Sequence, residues 1–162
     1  MTILPLIEKH YPAVASIYLE GIKTGHATFE TQAPDWTNWD KGHLQHSRLV
    51  AEIKNEVAGW AALGAVSERC VYGGVAEVSV YVGDRFRKQG IGKALLLALI
   101  DSSEVNGIWT LQSGIFPENK NSVELHENCG FRKVGLREKV GRMNGIWRDT
   151  VLFERRSKLV GI

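Results

Sequence analysis

The stretch from Val75 to Val105 constrains the fold of this chain more than any other. Val75 to Val82 alternates strictly, with Ala76, Val78, Val80 and Val82 on one face and Glu77, Ser79 and Tyr81 on the other, which is the period of a strand. A short loop from Gly83 to Gln89 follows. Ile91 to Val105 then reads as a helix, because the run from Ala94 to Ile100 consists of strong helix formers covering more than one helical face. A strand feeding straight into a buried helix fixes a sheet-and-helix unit, and its junction is Arg87, Lys88, Gln89, Gly90, Ile91, Gly92 and Lys93.

The chemistry of that junction is anion binding. The first N–H groups of a helix lack intrahelical acceptors and sit at the positive end of the helix dipole. Gly90 and Gly92 let that backbone approach an anion closely, and Arg87, Lys88 and Lys93 add positive charge. A pyrophosphate meets these terms. A tight strand-to-helix turn would also use the two glycines, so their spacing alone does not decide. The segment is not a dinucleotide fingerprint, since Leu95 occupies the third glycine position, and it is not a Walker A loop, since Ala94 follows Gly92 and Lys93.

The remaining elements surround this unit. An apolar start at Ile3 to Leu6 precedes a helix from Pro12, with Val14, Ile17, Tyr18 and Ile22 at helical spacing. A polar stretch around Thr24 to Thr31 breaks it, and a short helix is expected from Thr37 to Leu44. Arg48 to Ile53 and Val57 to Val66 read as a hairpin. Thr110 to Ile115 reads as a strand and Asn119 to Asn128 as a helix closed by Gly130, and Lys133 to Val140 and Arg148 to Glu154 are the last strands. At 162 residues, without linker or repeat, the chain is expected to form one domain, 1–162.

Composition narrows the function classes. A formal charge of +2 gives no global reason to bind nucleic acid or an anionic membrane. Nine basic residues stand against three acidic ones between Arg132 and Lys158, but no nucleic-acid motif accompanies them, so a solvated face is expected. Cys70 and Cys129 are far apart, which suits a reducing cytoplasm and suggests neither zinc nor a disulfide framework. Met1 to Tyr11 contains Glu8, Lys9 and His10 and lacks the apolar core of a signal peptide, so no export is expected. His43 and His46 have no third ligand nearby, and an exposed helix face is the expected reading rather than a metal site. Among the tryptophans, Trp36 is the candidate for lining a pocket.

Two ordered motifs carry a resemblance. Arg87, Gly90 and Gly92, directly after the V-x-V strand, match the coenzyme motif of the GNAT acetyltransferase superfamily: Arg or Gln, two residues, Gly, one residue, then Gly or Ala. Downstream, Asn119, Ser122, Leu125, His126, Gly130 and Phe131 match its second segment. Within the superfamily the chain resembles the phosphinothricin acetyltransferase-like group, through Glu77 to Val82 and the triplet Leu125, His126, Glu127. Thr28, Phe29 and Glu30 fall where that group places a substrate-side loop, whereas Ile3, Leu4 and Pro5 lack the basic residue its first strand often carries.

The resemblance implies an α+β fold: a mixed, mostly antiparallel sheet flanked by helices and opened between the Glu77 and Leu111 strands to admit acetyl-CoA. It implies transfer of acetyl to the primary amine of a small amino-acid-like acceptor by direct attack, in a cytoplasmic homodimer that needs no metal. Contacts to the coenzyme are expected from Val80, Tyr81, Val82, the junction Arg87 to Lys93, Asn119 and Asn128, with a splay or bulge freeing a backbone N–H of Val80 or Tyr81 for the oxyanion. Contacts to the acceptor are expected from Phe29, Arg69, Tyr72, Glu77, Val78 and Ser79. Asn119 would equally serve as the N-cap of its helix.

Glu77 is the candidate base, since a carboxylate inside a strand is costly unless bonded or functional. An exposed or cross-strand-paired glutamate is the plain alternative. His126 is the candidate proton donor to the leaving thiolate, or a shaper of the acceptor site; a satisfied core histidine is its alternative. Other amine acceptors, such as a protein N-terminus or a polyamine, remain open, as does a non-catalytic acyl-CoA-binding or nucleic-acid-binding module.

Overall fold

The computed structural model describes residues 1–162. In chain order the elements are β1 (Thr2–Pro5), α1 (Tyr11–Lys23), α2 (Trp36–Lys41), β2 (Leu49–Ile53), β3 (Glu56–Ala65), β4 (Val75–Val82), α3 (Ile91–Val105), β5 (Thr110–Ile115), α4 (Lys120–Asn128), β6 (Arg132–Met143) and β7 (Ile146–Arg156). The strands form one seven-stranded sheet in the order β1-β2-β3-β4-β5-β7-β6. Every neighbouring pair is antiparallel except β4 with β5, which is the mixed, mostly antiparallel α+β arrangement expected. No helix is long and apolar enough to cross a membrane.

Strand alternation sorts the core into two layers. Ala51, Ala61, Leu63, Ala76 and Val78 point to the face covered by α3, where Ile91, Leu95, Leu96 and Leu99 are buried. Val50, Trp60 and Ala62 point the other way, against Val14 and Ile17 of α1 and Trp39 of α2. Both faces are therefore closed by helices, and the central strands are apolar on both sides. The Arg48 guanidinium secures the chain after α2 by donating to the carbonyls of Asp40 (2.9 Å) and His43 (3.0 Å).

Two hairpins differ from their sequence reading. Lys54 and Asn55 both lie in the left-handed region (φ 50 and 64), a two-residue turn joining β2 to β3. Asn144 and Gly145 (φ 51 and 78) do the same between β6 and β7, which run to Met143 and from Ile146 rather than stopping at Val140 and starting at Arg148. The short helix ends at Lys41 instead of Leu44, because Gly42 closes it. His43 and His46 consequently lie beyond it. His43 stacks on Trp39 with centroids 4.0 Å apart, so the exposed helix face expected for this pair is not observed.

Candidate active site

The parallel pairing of β4 and β5 lasts three residues: Val75 with Thr110, Ala76 with Leu111 and Glu77 with Gln112. Beyond Glu77 the two strands diverge. β4 stays paired with β3 as far as Val82, and β5 stays paired with β7 as far as Ile115. Val78 to Val82 thus keep one edge of their backbone unpaired along a cavity of about 1380 Å³. The opening is a splay, without a bulge in β4.

α3 begins at one end of this cavity. Its cap residue Gly90 is left-handed (φ +77), where a side chain would be strained, and no side chain caps the helix. The first intrahelical bond runs from the Ala94 N–H to the Gly90 carbonyl, 3.0 Å, which leaves the N–H groups of Ile91, Gly92 and Lys93 as the exposed donors of the helix start. A Cβ on Gly92 would lie 3.4 Å from Leu125 of α4, in ordinary contact, so protein packing does not demand a glycine there. Lys88 and Lys93 make no ion pair, whereas Arg87 is held by Asp84 at 2.6 Å. Gln89 turns back to donate to the Arg85 carbonyl (3.3 Å) and is not in the cavity wall.

Glu77 and His126 share the same cavity. Glu77 occupies the last paired position of β4, facing Gly64 on β3 and Gln112 on β5. It is exposed, so the burial cost that singled it out in the sequence is not paid here. His126, on α4, is 4% exposed, and burial holds its pKa below the ordinary imidazole value. Its Nδ1 lies 2.7 Å from the Ser122 carbonyl, which can only accept, so Nδ1 carries the proton. Nε2 therefore presents a lone pair, and it has no hydrogen-bond partner. In this state the ring is a proton acceptor. The expected donation of a proton to a leaving thiolate does not fit it.

Asn119 is the N-cap of α4, accepting from the Ser122 N–H (3.3 Å) while its amide donates to the His26 carbonyl (3.1 Å). Asn119, Asn128, Val80, Tyr81, Val82, Val78, Ser79 and Phe29 all line the cavity. Arg69 and Tyr72 do not. They pack on each other at the surface, with the guanidinium 5.6 Å from the ring centroid, so an acceptor contact from either is not provided within this chain's cavity. Trp36 is also outside the wall, which instead takes Trp39, Trp60, His43 and Tyr18. Ser113 and Thr150, both buried, complete it from β5 and β7. No periodicity in the sequence marks these last residues, since each reaches the cavity only through tertiary packing. No group of three or more His, Cys, Asp or Glu side chains is placed to hold a metal.

The family model described as Acetyltransferase (GNAT) family matches residues 13–131. The chain is 36% identical over 154 residues to phosphinothricin N-acetyltransferase of Alcaligenes faecalis, covering 89% of this chain and 76% of that one. It is 30% identical over 149 residues to the L-methionine sulfoximine/L-methionine sulfone acetyltransferase of Pseudomonas aeruginosa PAO1, covering 88% and 87%. Among solved structures it is similar to a GNAT superfamily phosphinothricin acetyltransferase from Sinorhizobium meliloti in complex with acetyl-CoA (TM-score 0.88, 27% identity, 99% of this chain and 90% of that one). It is also similar to ribosomal-protein-alanine N-acetyltransferase from Brucella melitensis (TM-score 0.88, 28% identity, 97% and 100%).

Proposed function

This chain belongs to the acetyltransferase (GNAT) family, and we propose from that premise that it moves the acetyl group of acetyl-CoA onto the primary amine of a small amino-acid-like acceptor, of the phosphinothricin, methionine sulfone or methionine sulfoximine type. One observation carries the reading: a single cavity joins the free helix start at Gly90–Lys93 to Glu77 and His126 along the unpaired edge of β4.

The N–H groups of Ile91, Gly92 and Lys93 hold the pyrophosphate, with Lys88 and Lys93 supplying charge. The unpaired edge of Val80 to Val82 takes the pantetheine amides as an added strand would, and one of its N–H groups faces the thioester carbonyl. Bound acetyl-CoA supplies the thioester. Glu77, exposed to cavity water, takes a proton from the acceptor ammonium, directly or through that water. The free amine attacks the carbonyl carbon, the C–S bond breaks, and the proton shed by the new amide nitrogen ends on the coenzyme sulfur. His126, neutral and held by the Ser122 carbonyl, shapes the cavity wall beside the reaction. Tyr18, Trp39, Trp60 and Tyr81 wall the acceptor end with aromatic surface that suits a methylene stem.

A protein N-terminus as acceptor has support from the Brucella structure, and assays with a panel of free amino-acid analogues, polyamines and peptides separate these classes. Thiol release with methionine sulfone or phosphinothricin and little with peptides is expected. Folded protein that binds acetyl-CoA yet acetylates none of them is a non-catalytic binding module. The proposal extends to a cytoplasmic homodimer without nucleic-acid or membrane partner. Exposed Val134, Leu136 and Val140 on the edge strand β6, with Ile146 and Trp147 on β7, support self-association. Two free cysteines, one exposed and one buried, support a reducing compartment. Sedimentation at the mass of one chain would remove the dimer.

A further inference from the structure

The chain between α1 and α2, from Thr24 to Asp35, has no helix or strand, yet it forms one whole side of the cavity at the acceptor end. A loop of that length does not hold one shape by its own local preferences. The Thr24 and Thr28 hydroxyls brace it locally and the Asn119 amide holds the His26 carbonyl, and a further, charged tie comes from far along the sequence. Arg148, at the start of β7, donates from Nη1 to the Gly25 carbonyl (2.9 Å) and from Nη2 to Nδ1 of His26 (2.9 Å). The same guanidinium lies 4.1 Å from the Phe116 ring centroid and 3.4 Å from Glu118 Oε2, so it spans from the loop to the segment after β5. Its side chain is 12% exposed.

Two apolar contacts lie alongside. Phe29 meets Phe116 edge-on at 4.8 Å, and it packs so closely on Gly141 that a Cβ there would come within 2.6 Å of the ring. These contacts hold the loop by shape, whereas Arg148 is the charged group that bonds to it and to the opposite wall at once. Because Nη2 donates to His26 Nδ1, that nitrogen is an acceptor and the neutral ring carries its proton on Nε2, so the clamp also sets the tautomer that His26 brings to the cavity.

We propose that Arg148 is a positioning residue for the acetyl acceptor: it does not line the cavity, and it acts by locking the Gly25–Glu30 wall against Phe116 and Glu118. The inference rests on the acetyl-transfer reading for its kinetic arm alone. A lysine keeps the charge but cannot donate to both loop sites while lying flat on the ring.

Arg148→Lys should raise the acceptor KM about tenfold with acetyl-CoA KM changed by less than about twofold, and the hydrogen-bonded amides of Gly25, His26 and Glu30 should exchange with deuterium at least about tenfold faster while those of β3 and α3 do not. Arg148→Ala should do the same more strongly, with partial recovery of acceptor KM on adding free guanidinium. If the alanine variant fails to fold, the lysine variant decides. Unchanged exchange of the loop, or a coenzyme KM that rises in step with the acceptor KM, overturns the proposal. Exchange needs no turnover, so wild-type protein inactive on every amine would sink the proposed reaction while leaving the clamp to be judged on exchange.

Discussion

Replacing Glu77 with glutamine removes the carboxylate from the cavity wall while keeping its size, and at the scale of single residues this is the sharpest test of the proton chemistry. A positioned base contributes roughly two to four orders of magnitude, so kcat of Glu77→Gln should fall by about 10²-fold or more with acetyl-CoA affinity within about twofold. Equal losses in both would make Glu77 a structural residue. Glu77 and His126 both stand out in the sequence, but their surroundings do not. Glu77 is exposed, which is the plain alternative to a buried base, and it still faces the cavity beside its last β5 partner, Gln112. Of the readings open for His126 (an acid, a shaper of the acceptor site, a satisfied core histidine), its contact to the Ser122 carbonyl and its burial favour the last two. Both surroundings arise from backbone placed by other elements, which alternation along one strand or spacing along one helix does not encode. Arg148 was read as part of a solvated basic face for the same reason: its partners lie at Gly25, His26, Phe116 and Glu118.

At the scale of elements, the claim is that the start of α3 is an anion site rather than a tight turn. Gly92→Asp separates the two. Its side chain has room, since the nearest atom to the new Cβ is Leu125 at 3.4 Å, and a carboxylate in the first turn favours the helix by about 0.3–1 kcal/mol. Stability should therefore hold or rise while acetyl-CoA affinity falls at least about tenfold, as one negative charge opposes another where the helix donors converge. Unchanged affinity would return the glycines to a steric role. The strand-loop-helix unit was legible to the residue, with β4 at Val75–Val82 and α3 at Ile91–Val105 as read. The β6–β7 hairpin was read short although Asn144-Gly145 signals its turn; register shifts between Lys133 and Gly135 and between Arg137 and Gly141 break the alternation that would have extended it.

For the molecule as a whole, buried titratable groups set a pH window. Burial holds His10, His43, His46 and His126 below the ordinary value of 6.5, so as pH falls through and below that value the unfolded chain takes up protons first and stability drops. Burial raises the hydroxyls of Tyr11, Tyr18 and Tyr81 and the thiol of Cys129, so above about pH 9 the unfolded chain loses protons first and stability drops again. Urea midpoints should form a plateau between about pH 7 and pH 8.5 and decline on both sides. A midpoint that climbs from about pH 7 to pH 5 would contradict this balance.

All of these depend on one arrangement, the parting of β4 from β5 beside the bare start of α3, serving as the proposed coenzyme site. A crystal structure of the protein with acetyl-CoA tests it most directly. Pyrophosphate oxygens are expected within hydrogen-bonding distance of the N–H groups of Ile91, Gly92 and Lys93, and the pantetheine arm against the open edge of Val80–Val82. Nucleotide density elsewhere on the molecule, with no phosphate at Gly90–Lys93, would contradict it.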